Sequence, residues 1–284
     1  MAIQNNPGRV AVIGAGKMGS ALLAGFLKCG LVDPRHAVVV EPGLTRRSEL
    51  AREFPGVTCL AQVTQLELGA GDICLLAVHP ETVTPVLQQL RDRLNGALLV
   101  SIAGGVTTDQ LQAEVEEGTP VVRVMPNTPA MVGEAMSLLT PGTHVTKTAL
   151  KSVVKLFESV GRACVVAEEL QPAGTAVSGS GPAYFALVAS ALIRAGVMHG
   201  LPLALAVELT EQTMLGTARL LQESGMQPES LIDVVSSPGG TTAVALAELE
   251  NAGLRAAFTN AVDAAVARTL KQGLDEDPDD ATKA

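Results

Sequence analysis

The chain has 284 residues, enough for two domains that each bury a core of their own. Its formal net charge of −9 and its aromatic content of 2% argue against nucleic acid or an anionic membrane as a partner. No secretory signal is visible, and the longest apolar stretch, residues 184–198, is interpreted as too short to span a membrane, so we expect a cytoplasmic protein.

A glycine-rich turn follows the first apolar run of the chain. Residues 10–13 predict a buried strand, Gly14, Gly16 and Gly19 come next, and residues 21–27 predict a helix. This spacing between a strand and a helix is typical of dinucleotide-binding sites. The three glycines permit, in order, a tight turn, close approach of the backbone to a pyrophosphate, and close packing of the helix. The sequence therefore predicts a dinucleotide site at the start of the first helix.

The end of the second predicted strand, residues 37–40, carries signals for two cofactors. Glu41 follows it, and an acidic residue at this place usually binds the ribose hydroxyls of NAD. Arg46 and Arg47 come soon afterwards, and paired arginines suit the 2′-phosphate of NADP. The alternative for the arginines is a solvated first turn of the next helix. The choice between NADH and NADPH stays open at this point.

Four more apolar runs alternate with helical segments, which predicts a doubly wound, mostly parallel sheet covered on both faces. They comprise residues 57–60, 72–78, 97–102 and 120–125. A strand at 135–140, a helix at 147–159 and a strand at 162–167 complete an α/β domain, to which we assign residues 1–167. Ligands bind outside the carboxyl ends of parallel strands, so the segments that follow the strands should converge on one crevice. These segments are residues 14–19, 77–80, 103–105 and 127–130.

The rest of the chain has a helical period, which predicts an all-helical domain over residues 168–274. Its helices are expected at 182–199, 203–224, 228–235, 242–251 and 254–272. The first of them is apolar on nearly every face, so we expect a second subunit to cover it, with burial inside the single chain as the alternative. The acidic residues 275–284 are interpreted as a disordered tail.

Two polar stretches that contain glycines, residues 175–184 and 235–243, stand out in the helical domain. The second places hydroxyls and small side chains just before a helix that begins near Thr242, as in helix N-termini that bind anions. Ordinary capping and tight helix packing are the alternative for both. The isolated histidines predict no metal site. Cys74, inside an apolar run, is interpreted as a small buried hydrophobe.

These two stretches, together with residues 13–19, 101–105 and 123–130, resemble the pyrroline-5-carboxylate reductases. The resemblance covers about residues 9–273 and is most specific at 177–184 and 235–242. It implies an N-terminal Rossmann-type domain and a C-terminal helical domain interwoven with its partner into a homodimer, with decamers of five dimers common. It also implies that NADPH or NADH reduces the cyclic imine 1-pyrroline-5-carboxylate to L-proline, the last step of proline synthesis.

The resemblance and the glycine pattern together give a set of site residues. Predicted at the cofactor are Ile13, Gly14, Ala15, Gly16, Lys17, Met18, Gly19, Glu41, Arg46, Ala77, Val78, His79, Pro80, Ala103, Gly104, Gly105 and Asn127. Predicted at the substrate are Glu168, Thr175, Ser237, Gly240, Thr241 and Thr242, the last four of them at its carboxylate. We interpret Thr175 as the catalytic residue, which hydrogen-bonds the ring nitrogen directly or through a water.

The chain departs from the family at two of these positions. The family usually has lysine where this chain has His79, which removes a fixed positive charge near a phosphate or carboxamide. Relatives often have serine or asparagine near Glu41, so the glutamate favours NADH and puts a strict preference for NADPH in doubt.

Two rival functions are considered. A β-hydroxyacid or 6-phosphogluconate-like dehydrogenase needs a lysine in the helical domain, but only Lys271 and Lys283 follow residue 168. A regulator without catalysis would bind NAD(P)H and show no turnover.

Overall fold

The structure is a computed structural model that describes residues 8–272, so the predicted acidic tail at 275–284 lies outside the described residues. The described residues form two compact units. The first comprises the residues up to Ser180 and those from Ala265 onward, and the second is Gly181–Ala264. The domain boundary near residue 167 stays a prediction.

The first unit is built on an eight-stranded sheet in the order β3-β2-β1-β4-β5-β6-β7-β8. Its strands are β1 (Val10–Ile13), β2 (Ala37–Val40), β3 (Thr58–Leu60), β4 (Ile73–Leu76), β5 (Leu98–Ser101), β6 (Val121–Met125), β7 (Ala135–Pro141) and β8 (Gly161–Val165). All neighbours pair in parallel except β6 and β7, which are antiparallel. Every residue of β1, β2, β4 and β5 is buried, which explains why their sequences are apolar apart from Ser101 at the end of β5. The predicted fold class is confirmed.

Helices cover both faces of this sheet. They are α1 (Lys17–Lys28), α2 (Leu44–Glu53), α3 (Val83–Leu90), α4 (Thr108–Ala113), α5 (Lys147–Glu158) and α6 (Gln171–Gly174). Side chains of α1, α2 and α5 join one hydrophobic cluster and those of α3 and α4 join the other, so the winding is double. Short 3-10 helices occur at Pro34–His36, Val63–Gln65, Pro80–Thr82, Arg91–Arg93, Thr128–Val132 and Glu168–Leu170.

The strand expected at 72–78 is shorter than predicted. Asp72 belongs to the preceding turn, where its carboxylate accepts hydrogen bonds from the backbone N–H groups of Arg9 and Gly69 at 2.7 and 3.1 Å. Cys74, in the middle of the strand, is fully buried as expected, and burial raises the pKa of its thiol to about 12.

The second unit contains α7 (Gly181–Met198), α8 (Leu203–Ser224), α9 (Pro228–Val235), α10 (Thr241–Asn251) and the first part of α11 (Leu254–Gln272). Helix α7 keeps large apolar side chains exposed in the single chain, among them Phe185 at 64% and Leu187 at 72%. The alternative prediction, that this helix is buried inside the single chain, is therefore wrong.

Glu168–Met198 forms one helical stretch of 31 residues that is long and apolar enough to cross a membrane, judged by length and composition only. This helical stretch is longer than the apolar stretch 184–198 on which the sequence analysis relied. The difference arises because α6 and a π-helical turn at Thr175–Gly179 extend the helix at its N-terminal end. An apolar helix that another subunit covers has the same length and composition.

Candidate functional site

The glycine turn joins β1 to α1, and its geometry requires glycine at two positions. Gly14 has a φ of +87°, and a Cβ there would lie 2.7 Å from the carbonyl oxygen of Ala77. A Cβ on Gly19 would collide with the carbonyl oxygen of Gly14. Both glycines therefore allow the turn, α1 and the loop after β4 to approach one another closely.

Gly16 leaves the opposite side of the turn open. It is the N-cap residue of α1, and a Cβ there would meet nothing within 4 Å. The backbone N–H groups of Gly16, Lys17 and Met18 have no acceptor among residues 8–272. Free donors at the positive end of a helix, with open space in front of them, fit the pyrophosphate of a dinucleotide.

A cavity of about 440 Å³ lies beside this turn, where the strand order reverses between β1 and β4. It is lined by Gly16, Lys17, Met18, Gly19, Ala77, Val78, His79, Pro80, Ile102, Ala103, Gly104, Met125 and Pro126. Three of the predicted segments thus meet here. The predicted site residues did not include Ile102, Met125 or Pro126, although all three lie in the stretches 101–105 and 123–130 that resemble the family. The cavity lining does not include Ile13, Gly14, Ala15, Gly105 or Asn127.

Glu41 and Arg46 both contact the glycine turn. Glu41 accepts hydrogen bonds from the backbone N–H groups of Ala15 at 3.4 Å and Gly43 at 2.9 Å. Arg46 donates from Nε to the carbonyl of Ala15 at 3.1 Å and from Nη2 to Ser20 Oγ at 2.7 Å. It also forms ion pairs with Glu49 and Glu53.

Arg47 is likewise bound to the protein, because its Nη1 donates to the carbonyls of Glu41 and Pro42. Both arginine side chains therefore bind protein groups, in contrast to the alternative of a solvated helix turn. Glu41 directly follows β2 and supplies the carboxylate at the end of that strand.

Asn127 is 8% exposed and both ends of its amide are used within the chain. Its Nδ2 donates to the carbonyl of Ser178 at 2.9 Å, and its Oδ1 accepts from the backbone N–H of Met136 at 2.8 Å. It therefore connects the end of β6 to β7 and to the π-helical turn. Its place beside the nicotinamide stays a prediction.

Thr175 begins this π-helical turn, which closes with a hydrogen bond from the N–H of Ser180 to its carbonyl at 3.0 Å. Its Oγ1 is buried and has no hydrogen-bond partner in the described chain. Thr210, Thr213 and Thr217, by contrast, donate their hydroxyls to the carbonyl four residues earlier. Unpartnered buried hydroxyls and π-helical turns are both uncommon and are found more often at functional sites, which makes Thr175 a candidate site residue.

Glu168 is engaged by the protein through both carboxylate oxygens. Oε2 accepts from the N–H and the Oγ1 of Thr108 at 3.3 and 2.8 Å, and Oε1 pairs with Nη1 of Arg123. Arg123 lies on β6 and is only 4% exposed. The sequence prediction missed it, although a single charge inside an apolar strand is a signal for a buried partner.

The second unit contains the loop before α10. Gly240 is the N-cap residue of α10 without a side-chain cap, and its N–H donates to the carbonyl of Ser237 at 2.9 Å. Gly239 has a φ of +70°, and Ser237 Oγ occupies the space where a Cβ on Gly240 would lie. The hydroxyl of Ser236 is buried and has no partner in the described chain. The helix begins at Thr241, close to where the sequence predicts, and its first N–H groups suit an anion.

Comparisons with known proteins match both parts of the chain. Residues 168–272 match the family described as pyrroline-5-carboxylate reductase dimerisation, and residues 9–105 match the one described as NADP oxidoreductase coenzyme F420-dependent. The pyrroline-5-carboxylate reductase of Methanosarcina acetivorans is 40% identical over 269 residues, which cover 93% of this chain and 98% of that protein.

Two solved structures agree with this assignment. The Plasmodium falciparum pyrroline carboxylate reductase with NADP bound superposes with a TM-score of 0.85 at 31% identity, covering 95% of this chain and 99% of that one. The reductase of Coxiella burnetii gives a TM-score of 0.86 at 33% identity, covering 94% and 99%. The chain therefore belongs to the pyrroline-5-carboxylate reductase family.

Proposed function

We propose that this protein reduces 1-pyrroline-5-carboxylate to L-proline with NADPH or NADH, as an NAD(P)H-dependent oxidoreductase of proline synthesis. The observation that supports this best is a pair of open helix N-termini, at α1 and α10, in a chain that matches named reductases over 93% of its length. One suits the pyrophosphate of the cofactor and the other a carboxylate.

The residues around the cavity fit the cofactor, because the open side of Gly16 and the free N–H groups of α1 leave room and donors for its pyrophosphate. When bound, the reduced nicotinamide supplies the hydride for the imine carbon. The chain itself holds the substrate by its carboxylate, which places the imine for reaction. An imine protonates near neutral pH, so a site that is rich in hydroxyls suffices.

In this proposal Thr175 hydrogen-bonds the ring nitrogen. Its Oγ1 is buried and has no protein partner, so a bound ring nitrogen satisfies it. The described chain after Glu168 has a single lysine, Lys271, in the last turn of α11. A lysine-dependent dehydrogenase mechanism therefore has no residue to use in α6 to α10.

The carboxylate is assigned to the loop before α10 and to Ser237, Gly240, Thr241 and Thr242. Replacing Thr242 with alanine is expected to raise the KM for the imine about tenfold or more, with little change in kcat, because a hydrogen bond to a charged group contributes about 1.5–3 kcal/mol. Steady-state kinetics at varied imine concentration measures this. Thr148→Ala is the matched control, since Thr148 is also the second residue of a helix, α5. A normal KM in the Thr242 variant would refute the assignment.

Cofactor choice is assigned to Glu41. Replacing it with serine is expected to raise the ratio of kcat/KM for NADPH to that for NADH about tenfold, because the change removes an anion that repels a 2′-phosphate and accepts from ribose hydroxyls. Parallel titrations with the two cofactors test this. Glu67→Ser removes a carboxylate from an exposed loop and should leave the ratio unchanged. An unchanged ratio in the Glu41 variant would show that selection lies elsewhere.

We further propose a cytoplasmic homodimer that assembles into decamers of five dimers and binds neither nucleic acid nor membrane. Support for the dimer comes from the match of residues 168–272 to a dimerisation family and from the apolar side chains that α7 leaves exposed. Light scattering after gel filtration should give a mass near two or ten times 29.2 kDa. A monomer without detergent would contradict the proposal.

The catalytic assignment is tested by following oxidation of NADH and NADPH side by side with the purified full chain and 1-pyrroline-5-carboxylate. Oxidation that depends on the imine is expected. Failure of both cofactors would overturn the proposed function.

A further inference from the structure

One face of the helical segment 168–179 is held against β6 and β7. Glu168 pairs with Arg123 of β6, and Gln171 donates from Nε2 to the carbonyl of Leu138 at 3.3 Å and to Thr140 Oγ1 at 2.9 Å, both on β7. Further along the segment, the carbonyl of Ser178 accepts a hydrogen bond from Nδ2 of Asn127. Thr175 therefore has residues that contact the sheet both before it and after it in the chain.

The spacing shows why Thr175 faces the same way. Glu168, Gln171 and Thr175 are three and four positions apart across a 3-10 and an α-helical turn, which places them on one face of the segment. Two glycines allow this face to lie directly on the sheet. A Cβ on Gly174 would collide with Leu138, and one on Gly179 would lie 3.1 Å from the Cε of Met125. The segment therefore has one rotation in which all its contacts form.

The ion pair at the start of this face contributes little to the stability of the fold, because removing both charges from water costs free energy. Arg123 is 4% exposed and lies between buried valines, where an apolar residue of similar volume often stabilises a fold as well or better. A buried pair does, however, fix register, because rotation or sliding of the helix would leave the guanidinium unpartnered.

We propose that Arg123 and Glu168 are positioning residues, which fix the rotation of segment 168–179 and so hold the Thr175 hydroxyl at the ring nitrogen of the substrate. The inference rests on the proposed role of Thr175 in imine reduction. It gives Glu168 a task other than direct substrate binding: Arg123 and Thr108 hold the carboxylate through both oxygens, and Glu168 acts on the substrate through Thr175.

The test is a double-mutant cycle between Glu168→Gln and Thr175→Val, with kcat as the readout. Glu168→Gln alone is expected to lower kcat about 10- to 100-fold, since displacement of a catalytic group by about 1 Å has effects of this size. In the Thr175→Val background the same change should lower kcat less than about twofold, because the hydroxyl that it displaces is absent. The KM for the cofactor should stay constant, because Glu168 does not line the cofactor cavity.

Conservative replacement distinguishes positioning from packing. Arg123→Lys keeps the charge and should recover more kcat than Arg123→Met, which leaves Glu168 unpaired. Asp72→Asn is the matched control, because Asp72 is 9% exposed and pairs with Arg9 at the amino ends of the strands. It should lower the melting temperature and leave kcat unchanged.

Two results would overturn the inference. One is a wild-type kcat in Glu168→Gln. The other is an equal loss of kcat from Glu168→Gln in the wild-type and Thr175→Val backgrounds, which would mean that Glu168 acts independently of Thr175. If Glu168→Gln fails to fold, Gln171→Met takes its place in the cycle with the same expectations. An inactive wild-type protein would overturn the proposed function itself, whereas a fully active Glu168→Gln would overturn only the positioning role.

Discussion

Replacement of Thr175 with valine is expected to lower kcat for the imine about 100-fold or more, in the range usual for loss of one positioned hydrogen bond in a transition state. Valine has nearly the same shape as threonine and lacks the hydroxyl. Since the Oγ1 of Thr175 is buried without a partner in the protein, its removal should leave the melting temperature unchanged or slightly higher.

Initial rates at saturating cofactor, together with thermal unfolding, measure both effects. Thr175→Ser keeps the hydroxyl and should retain most of the activity. Thr210→Val is the opposite control, because Thr210 donates its hydroxyl to the carbonyl of Ala206 and should lose stability without losing kcat. A Thr175→Val variant with wild-type kcat would exclude the role at the ring nitrogen.

Replacing two glycines of the turn with alanine, one at a time, is expected to separate effects on cofactor binding from effects on folding. Gly19→Ala forces a methyl group against the carbonyl of Gly14, so it should lower the melting temperature by about 5 °C and weaken cofactor binding. Gly16→Ala adds its methyl group to open space, so the protein without cofactor should keep its melting temperature within about 2 °C. Its dissociation constant for NADPH should nevertheless rise about tenfold, because the methyl group stands where the pyrophosphate approaches.

Calorimetric titration with NADPH and thermal unfolding of the unliganded protein test this pair. Gly69→Ala is the control, since a Cβ on Gly69 also meets nothing within 4 Å and Gly69 lies outside the cavity. Wild-type affinity in Gly16→Ala would show that the pyrophosphate does not approach this side of the turn.

Most of the fold follows from local patterns in the sequence. Strands buried on both faces, such as Val10–Ile13 and Ile73–Leu76, are continuous apolar runs, and their ends are marked by glycine or polar turns. The helices of the second unit begin and end within a residue or two of the predicted bounds, because glycine, proline and serine separate them. The glycine turn likewise has a spacing that is specific once strand and helix flank it.

The contacts of the candidate site are harder to predict from the sequence, because they join residues that are distant in the chain. Arg46 contacts Ala15 across 31 positions, and Arg123 contacts Glu168 across 45. Sequence alone gives the charge of these side chains and no indication of which partner each one meets. For the same reason the sequence leaves the role of Arg46 open. It gives Arg123 no role at the site, although that residue begins a stretch that resembles the family.

The π-helical turn at Thr175–Gly179 also has no sequence signal of its own. Small residues there fit a loop, a cap or a helix equally well, and the packing of Gly174 and Gly179 against β7 and β6 decides among them. The turn extends the apolar helix back to Glu168, which is why its length was underestimated.

The most direct test of the proposed function follows the hydrogen itself. The purified chain is incubated with 1-pyrroline-5-carboxylate and with NADPH or NADH that carries deuterium at the transferable position of the nicotinamide ring. We expect L-proline with one deuterium on the ring carbon that is bonded to nitrogen and remote from the carboxylate. Absence of proline, or proline without deuterium at that carbon, would contradict the proposed function.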